Sequence, residues 1–149
     1  MDSGDGFLHL PGVFSETEQQ ALLQTVQEIV RQAPFERPHL PGVGRPFRVE
    51  MTSAGQLGWW SDHRGLGYRP THPASGRRWP AVPPLIQAMT SRLLQRLPGG
   101  RPGGFHMDSC LINRYREDGR LGLHRDASEP ATTAPVVTIS LGDSAAFLI

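Results

Sequence analysis

Lysine is absent from this chain and cysteine occurs once. All fifteen basic residues are arginine, and with fourteen acids they leave a formal net charge of +1. That balance gives no long-range positive field for capturing nucleic acid or an anionic surface. The single Cys110 excludes an internal disulfide and any zinc site made of several thiolates. In its apolar segment it reads as a small core residue. No run approaches the ~18 apolar residues of a membrane span, and the first residues lack the basic and apolar blocks of a secretory leader. The chain therefore reads as a soluble, cytoplasmic protein without membrane contacts, expected to be a monomer. The missing lysine is read as compositional bias, although arginine does suit forked contacts to phosphate.

Turn formers are plentiful. Seventeen glycines and fourteen prolines in 149 residues point to one loop-rich α+β domain rather than a helical bundle. Residues 7–10 read as a short strand. Ser15 with Glu18 three residues later is a capping-box signature. Leu22, Leu23, Val26, Ile29 and Val30 then form an apolar helical stripe that Pro34 must end near Ala33. Residues 36–46 read as a loop, 47–52 as a strand, and 54–81 as a long loop. A loop of that length is usually functional when it is ordered, and three Trp and one Tyr argue for order. Pro83 or Pro84 opens a second helix with Leu85, Ile86, Met89, Leu93, Leu94 and Leu97 on its apolar side. Strands are then expected over 109–114, 121–124, 136–141 and 145–149. The last two read as a hairpin cut while still apolar, so the expectation is an N-terminal portion of a longer chain.

The chemistry concentrates between residues 111 and 130. In an extended segment, positions i and i+2 share a face. Asn113 and Tyr115 therefore lie together while Arg114 points away, and an amide beside a phenol suits a small dicarboxylate. His124 and Asp126 have the same spacing. They supply two ligands of the 2-His-1-carboxylate arrangement, which leaves positions on Fe(II) open for oxygen chemistry. The bland readings are a surface loop for His124 and Asp126, a turn for Asn113 and a half-buried core aromatic for Tyr115.

Six motifs occur in one order: G-x-L-G-W (55–59), W-P-A-x-P (79–83), C-L-I-N-R-Y (110–115), L-x-L-H-x-D (121–126), E-P (129–130) and A-P-x-V-x-x-S-L-G (134–142). As a set they resemble the bacterial AlkB family of Fe(II)- and 2-oxoglutarate-dependent dioxygenases, from about residue 7 onward. The resemblance implies a double-stranded β-helix, or jelly roll, with N-terminal helices and a nucleotide-recognition lid spanning roughly 47–80. Residues 1–105 would hold the helices and the lid, and residues 106–149 the first strands with the metal motif. The implied cofactor is Fe(II), with 2-oxoglutarate and O2 as cosubstrates. The implied reaction is oxidative demethylation of alkylated DNA or RNA bases. By position, His124 and Asp126 would bind iron and carry the catalysis. Asn113 and Tyr115 would contact 2-oxoglutarate. Trp59 would stack on the flipped base, Tyr68 would contact the nucleic acid, and Trp60 would be structural.

Some positions depart from the family pattern. The lid's Tyr-x-Tyr is here Leu66-Gly67-Tyr68, so one phosphate contact is lost and Arg64 or Arg69 is the candidate replacement. Ser128 stands where familiar members carry an acid. The distal iron-binding His and a cofactor-binding Arg pair are expected beyond Ile149, and neither His63 nor His106 is expected to substitute. The alternative is a catalytically inactive nucleic-acid-binding module, or gene remnant, that keeps Trp59, Tyr68 and the Arg-rich lid.

Overall fold

The computed structural model describes residues 7–97, 105–124 and 134–148. Helix α1 spans Glu16–Gln32 and opens on the expected capping box. The Ser15 N–H donates to Glu18 Oε2 at 2.8 Å, and the Glu18 N–H donates back to Ser15 Oγ at 3.3 Å. Two of the four otherwise unpaired N-terminal donors are satisfied in this way. Ala33 caps the far end before Pro34. Helix α2, Pro84–Leu94, starts on proline as expected but stops short of Leu97, where its last turn tightens with Arg96 and Leu97 donating three residues back. Arg92 of α2 pairs with Glu18 and lies over the Phe14 ring. The Arg92 hydrogen bond first, then the Ser15 N–H, hold the Glu18 carboxyl down at about 2.

Both helices pack on one face of an antiparallel pair, β1 (Glu50–Gly55) with β4 (Ser109–Arg114). Its register places Thr52 opposite Ile112 and Ala54 opposite Cys110. Of these, Ala54, Cys110 and Ile112 meet the core of Leu22, Ile29, Val82, Ile86 and Met89. Burial pushes the Cys110 thiol up to about 11, as expected for a packed and unreactive cysteine. The Thr52 hydroxyl donates to the Ala33 carbonyl at 2.7 Å and locks the end of α1 onto the sheet.

The stretch 54–81 is not the irregular loop expected. After the end of β1 it forms a hairpin, β2 (Gly58–Asp62) with β3 (Gly65–Arg69). The Asp62 side chain accepts from the Arg64 N–H at 2.8 Å, a local turn contact, and Gly65 takes a φ of 120°. Trp79 fixes the hairpin from below. Its indole N–H donates to the Arg69 carbonyl at 2.8 Å, and its ring lies T-shaped to that of His72 with centroids 5.2 Å apart. His72 in turn bonds the Pro34 carbonyl at 2.8 Å.

Other expected strands do not form among the described residues. Residues 7–10, 121–124, 136–141 and 145–148 carry no ladder. Strand 47–52 starts later, at Glu50. The alternation in 136–141 is real, since Val137, Ile139 and Leu141 are half-buried and the last two touch the core. A strand also needs a neighbour for its N–H and C=O groups, and none of the described residues supplies one. The α+β character stands: the described residues form two helices and two small antiparallel pairs. No described helix is long and apolar enough to cross a membrane.

Gly58 marks the tightest contact between hairpin and sheet. A Cβ there would collide with the Trp79 indole and come within 2.7 Å of Ser53 Cβ. Gly58→Ala is expected to cost about 1–3 kcal/mol of stability. Chemical denaturation would measure the loss, and an altered near-UV tryptophan signal would trace it to Trp79.

Candidate functional site

Two patches carry the residues singled out by sequence, one on the β2–β3 hairpin and one on the β1–β4 pair. The first is the hairpin face. Register pairs Trp59 with Tyr68 and Ser61 with Leu66, so all four share one side of the β2–β3 ribbon. The structure thus brings the two expected base-binding residues together. Trp60 is on the opposite side at 7% exposure, as its structural reading required.

A further residue joins this face that sequence reasoning passed over. Phe47 stacks on Trp59 with ring centroids 6.2 Å apart and an interplanar angle of 24°. A strap carries it there. The Ser61 hydroxyl donates to the His39 carbonyl at 2.7 Å, the His39 N–H donates to the Ser61 carbonyl at 3.0 Å, and the Phe47 N–H donates to the Pro38 carbonyl at 2.8 Å. The sequence alone makes Phe47 the first residue of a strand over 47–52, which gives it no contact with Trp59.

The cations around the hairpin divide into two kinds. Arg69 grips Asp62 with both terminal nitrogens, at 2.6 and 2.9 Å, and is committed to the hairpin. Arg64, at the turn, is exposed and makes no ion pair among the described residues. Of the two candidates for the lost tyrosine contact, only Arg64 is available.

The second patch is the outer face of β1–β4. Asn113 pairs with buried Met51, and Leu111 with Ser53. Asn113 Oδ1, Ser53 Oγ and Ser109 Oγ are all buried there without a partner among the described residues. Each such atom costs about 1–3 kcal/mol while unpaired. Asn113 is therefore a strand residue rather than a turn residue, and its amide fits a polar ligand. Turned about its axis, the same group offers Nδ2–H donors to a carboxylate. Arg114 faces the other way, as the alternation required. It stacks 4.2 Å over the Phe35 ring and shares Glu50 with Arg116. These bonds, Arg114 foremost, hold the Glu50 carboxyl below its ordinary range. Tyr115 lies just past the end of β4 and is 50% exposed.

The metal motif is described in part. His124 is exposed, and its Nδ1 lies 2.8 Å from the Gly122 carbonyl. A carbonyl only accepts, so Nδ1 is the donor in this contact. Asp126, Ser128, Glu129 and Pro130 lie outside the described residues. Among the described residues no three His, Cys, Asp or Glu side chains gather as a metal site. His106 pairs with Asp108 at 3.4 Å, and His63 sits exposed at the hairpin turn. A cavity of about 290 Å³ beside Gln56, Arg78, Trp79 and Met107 contains none of the expected site residues.

Residues 6–149 match the family model described as the 2OG-Fe(II) oxygenase superfamily. The chain belongs to this superfamily. Among curated proteins it is similar to an alpha-ketoglutarate-dependent dioxygenase AlkB homolog of Caulobacter vibrioides, at 42% identity over 144 residues, 97% of this chain and 62% of that protein. It is 37% identical to the alpha-ketoglutarate-dependent dioxygenase AlkB of Escherichia coli K12 over 134 residues, 90% of this chain and 59% of that protein. A DNA N(6)-methyladenine demethylase of Arabidopsis thaliana matches at 51% over 45 residues, 28% of this chain and 10% of that protein. The chain thus spans about 60% of the length of these two bacterial relatives. The AlkB resemblance read from the motifs is borne out.

The Asp62–Arg69 pair makes the hairpin acid-sensitive in a defined window. Arg69 first, then the Arg64 N–H, lower the Asp62 carboxyl from 3.8 to about 2. A depressed carboxyl adds stability above its ordinary value and loses that contribution as pH falls through the native one. Tryptophan fluorescence is therefore expected to report loosening of the hairpin between pH 3.8 and about 2. Asp62→Asn should remove that transition and show a looser hairpin already at neutral pH.

Proposed function

We propose that this protein removes alkyl groups from nucleic-acid bases by Fe(II)- and 2-oxoglutarate-dependent oxidation. The observation that carries the reading is the pairing of Trp59 with Tyr68 on one hairpin face, with Phe47 stacked behind Trp59. A base inside a duplex cannot be reached by an oxidant and must be extruded. Once out, it needs an aromatic surface, and stacking on one contributes about 1–3 kcal/mol. Trp59 provides that surface, Phe47 keeps it upright, and Tyr68 contacts the nucleic acid beside it.

The remaining roles follow from position and donor chemistry. The Asn113 amide and the Tyr115 phenol hold 2-oxoglutarate by its polar oxygens. His124, through Nε2, and Asp126, through its carboxylate, are ligands suited to iron(II), with a further imidazole required to complete the set. The bound metal, with 2-oxoglutarate and O2, supplies the oxidation of the alkyl carbon, which then leaves the base as formaldehyde. Arg114 takes no part in binding; tied to Glu50, it keeps the end of β4 in register so that Asn113 stays on the outer face. In this reading β1 and β4 belong to a double-stranded β-helix and β2–β3 is its lid. A module that only binds nucleic acid would account for Trp59 and Tyr68 but would leave the buried Asn113 amide without a purpose.

Two variants separate the roles. Trp59→Ala is expected to weaken binding of a methylated oligonucleotide by about tenfold or more, while 2-oxoglutarate turnover without substrate continues. His124→Ala should abolish succinate formation and leave oligonucleotide affinity in place. Unchanged affinity in the first variant, or retained succinate formation in the second, would reject the corresponding role.

A further inference from the structure

Ser53 has no place in the roles assigned so far. It is 0% exposed, and its hydroxyl has no hydrogen-bond partner among the described residues. The root of the hairpin keeps it dry, since a Cβ at Gly58 would stand 2.7 Å from Ser53 Cβ and against the Trp79 indole. Its register on β1 is opposite Leu111, which makes Asn113 its diagonal neighbour on the same face of β4. Asn113 Oδ1 is the other buried atom there in need of a donor. Met51 and Leu111, the remaining neighbours on that face, carry no polar hydrogen. Diagonal positions lie roughly 7–8 Å apart and somewhat closer at Cβ. The two side chains extended toward each other, with or without one water between them, close that gap. Ser109 Oγ is unpaired as well, but four residues along β4 place it roughly 13–14 Å from Asn113, out of reach.

We infer that Ser53 is a positioning residue for the cosubstrate: its hydroxyl donates to Asn113 Oδ1 and so fixes which end of the amide faces 2-oxoglutarate. The inference rests on the cosubstrate role given to Asn113 above. An amide fits its site either way round until a neighbour selects one. Were Ser53 to accept from Nδ2, its own proton would be stranded in a dry site, which is costly. Donating to Oδ1 leaves only a lone pair over. The same choice leaves the Nδ2–H donors for a carboxylate oxygen. The reverse seating would set the amide oxygen against that carboxylate, acceptor against acceptor. The hydroxyl thus acts through Asn113, without touching the cosubstrate itself.

The test titrates 2-oxoglutarate into iron-loaded protein without oxygen and follows the visible charge-transfer absorption of the complex, so that binding is read without turnover. Ser53→Ala is expected to weaken binding about tenfold. In air its KM for 2-oxoglutarate should rise by a similar factor while kcat stays within about twofold. Ser109→Ala removes an equally unpaired hydroxyl from the same face and should bind within about twofold of wild type. Asn113→Ala should also weaken binding, and adding Ser53→Ala to it should cost nothing further, because the effect passes through the amide. Wild-type affinity in Ser53→Ala, an equal loss in Ser109→Ala, or losses that multiply in the double variant would overturn the positioning role alone. Wild-type affinity in Asn113→Ala, or a wild-type protein that gives no absorption change, would overturn the cosubstrate role of Asn113 and this inference with it.

Discussion

The arrangement of this chain depends on one indole. Trp79 lies where the hairpin, the β1 strand and the turn at His72 meet. Its N–H holds the last carbonyl of β3, its ring leaves room only for a glycine at position 58, and it lies T-shaped to an imidazole that bonds the end of the first helical segment. A tryptophan buries roughly 150–250 Å² and needs one hydrogen-bond partner for its N–H. Here that partner is the backbone of the element to be positioned. Burial and aim are supplied by the same residue, and the aromatic face of the hairpin takes its place relative to Asn113 from this contact.

Much of this was legible in the sequence. The capping box of α1, the proline start of α2 and the alternation of β4 are local rules, and local rules were enough for them. The hairpin was not legible. Trp59 and Trp60 are adjacent, and both are covered, one by Phe47 and the other on the far side of the ribbon, so no polar–apolar period exists to be read. On β3, glycines occupy two of five positions and contribute nothing to a pattern. The opposite failure occurred at 136–141, where the period was correct but pairing depends on a neighbour that a one-dimensional pattern cannot supply. At the candidate site, the directions of Asn113 and Arg114 followed from alternation, while the Phe47 contact follows from a loop path set by two hydrogen bonds to Ser61.

The arginine-only composition also has a structural reading. Arg92 joins the two helices through Glu18, Arg114 and Arg116 join the two sheet strands through Glu50, and Arg69 closes the hairpin through Asp62. Exposed ion pairs contribute little, with a median of about 0–1 kcal/mol. Arg69 differs in using two nitrogens, and Arg92 and Arg114 in lying over an aromatic ring; Arg116 does neither. A guanidinium can do this because its donors lie in a fixed plane, and an ammonium cannot. The same composition leaves Arg64 beside the aromatic face without an ion pair among the described residues.

The strap that seats Phe47 against Trp59 has a thermodynamic consequence. An aromatic ring that is already stacked has surrendered its rotamer freedom before any guest arrives, and fixing such a side chain on association otherwise costs about 0.5–1.5 kcal/mol. That ordering is charged to folding, through the Ser61 and His39 bonds, rather than to recognition. In the proposed function the indole would therefore meet a base as a rigid surface, and affinity there would reflect contact instead of rearrangement.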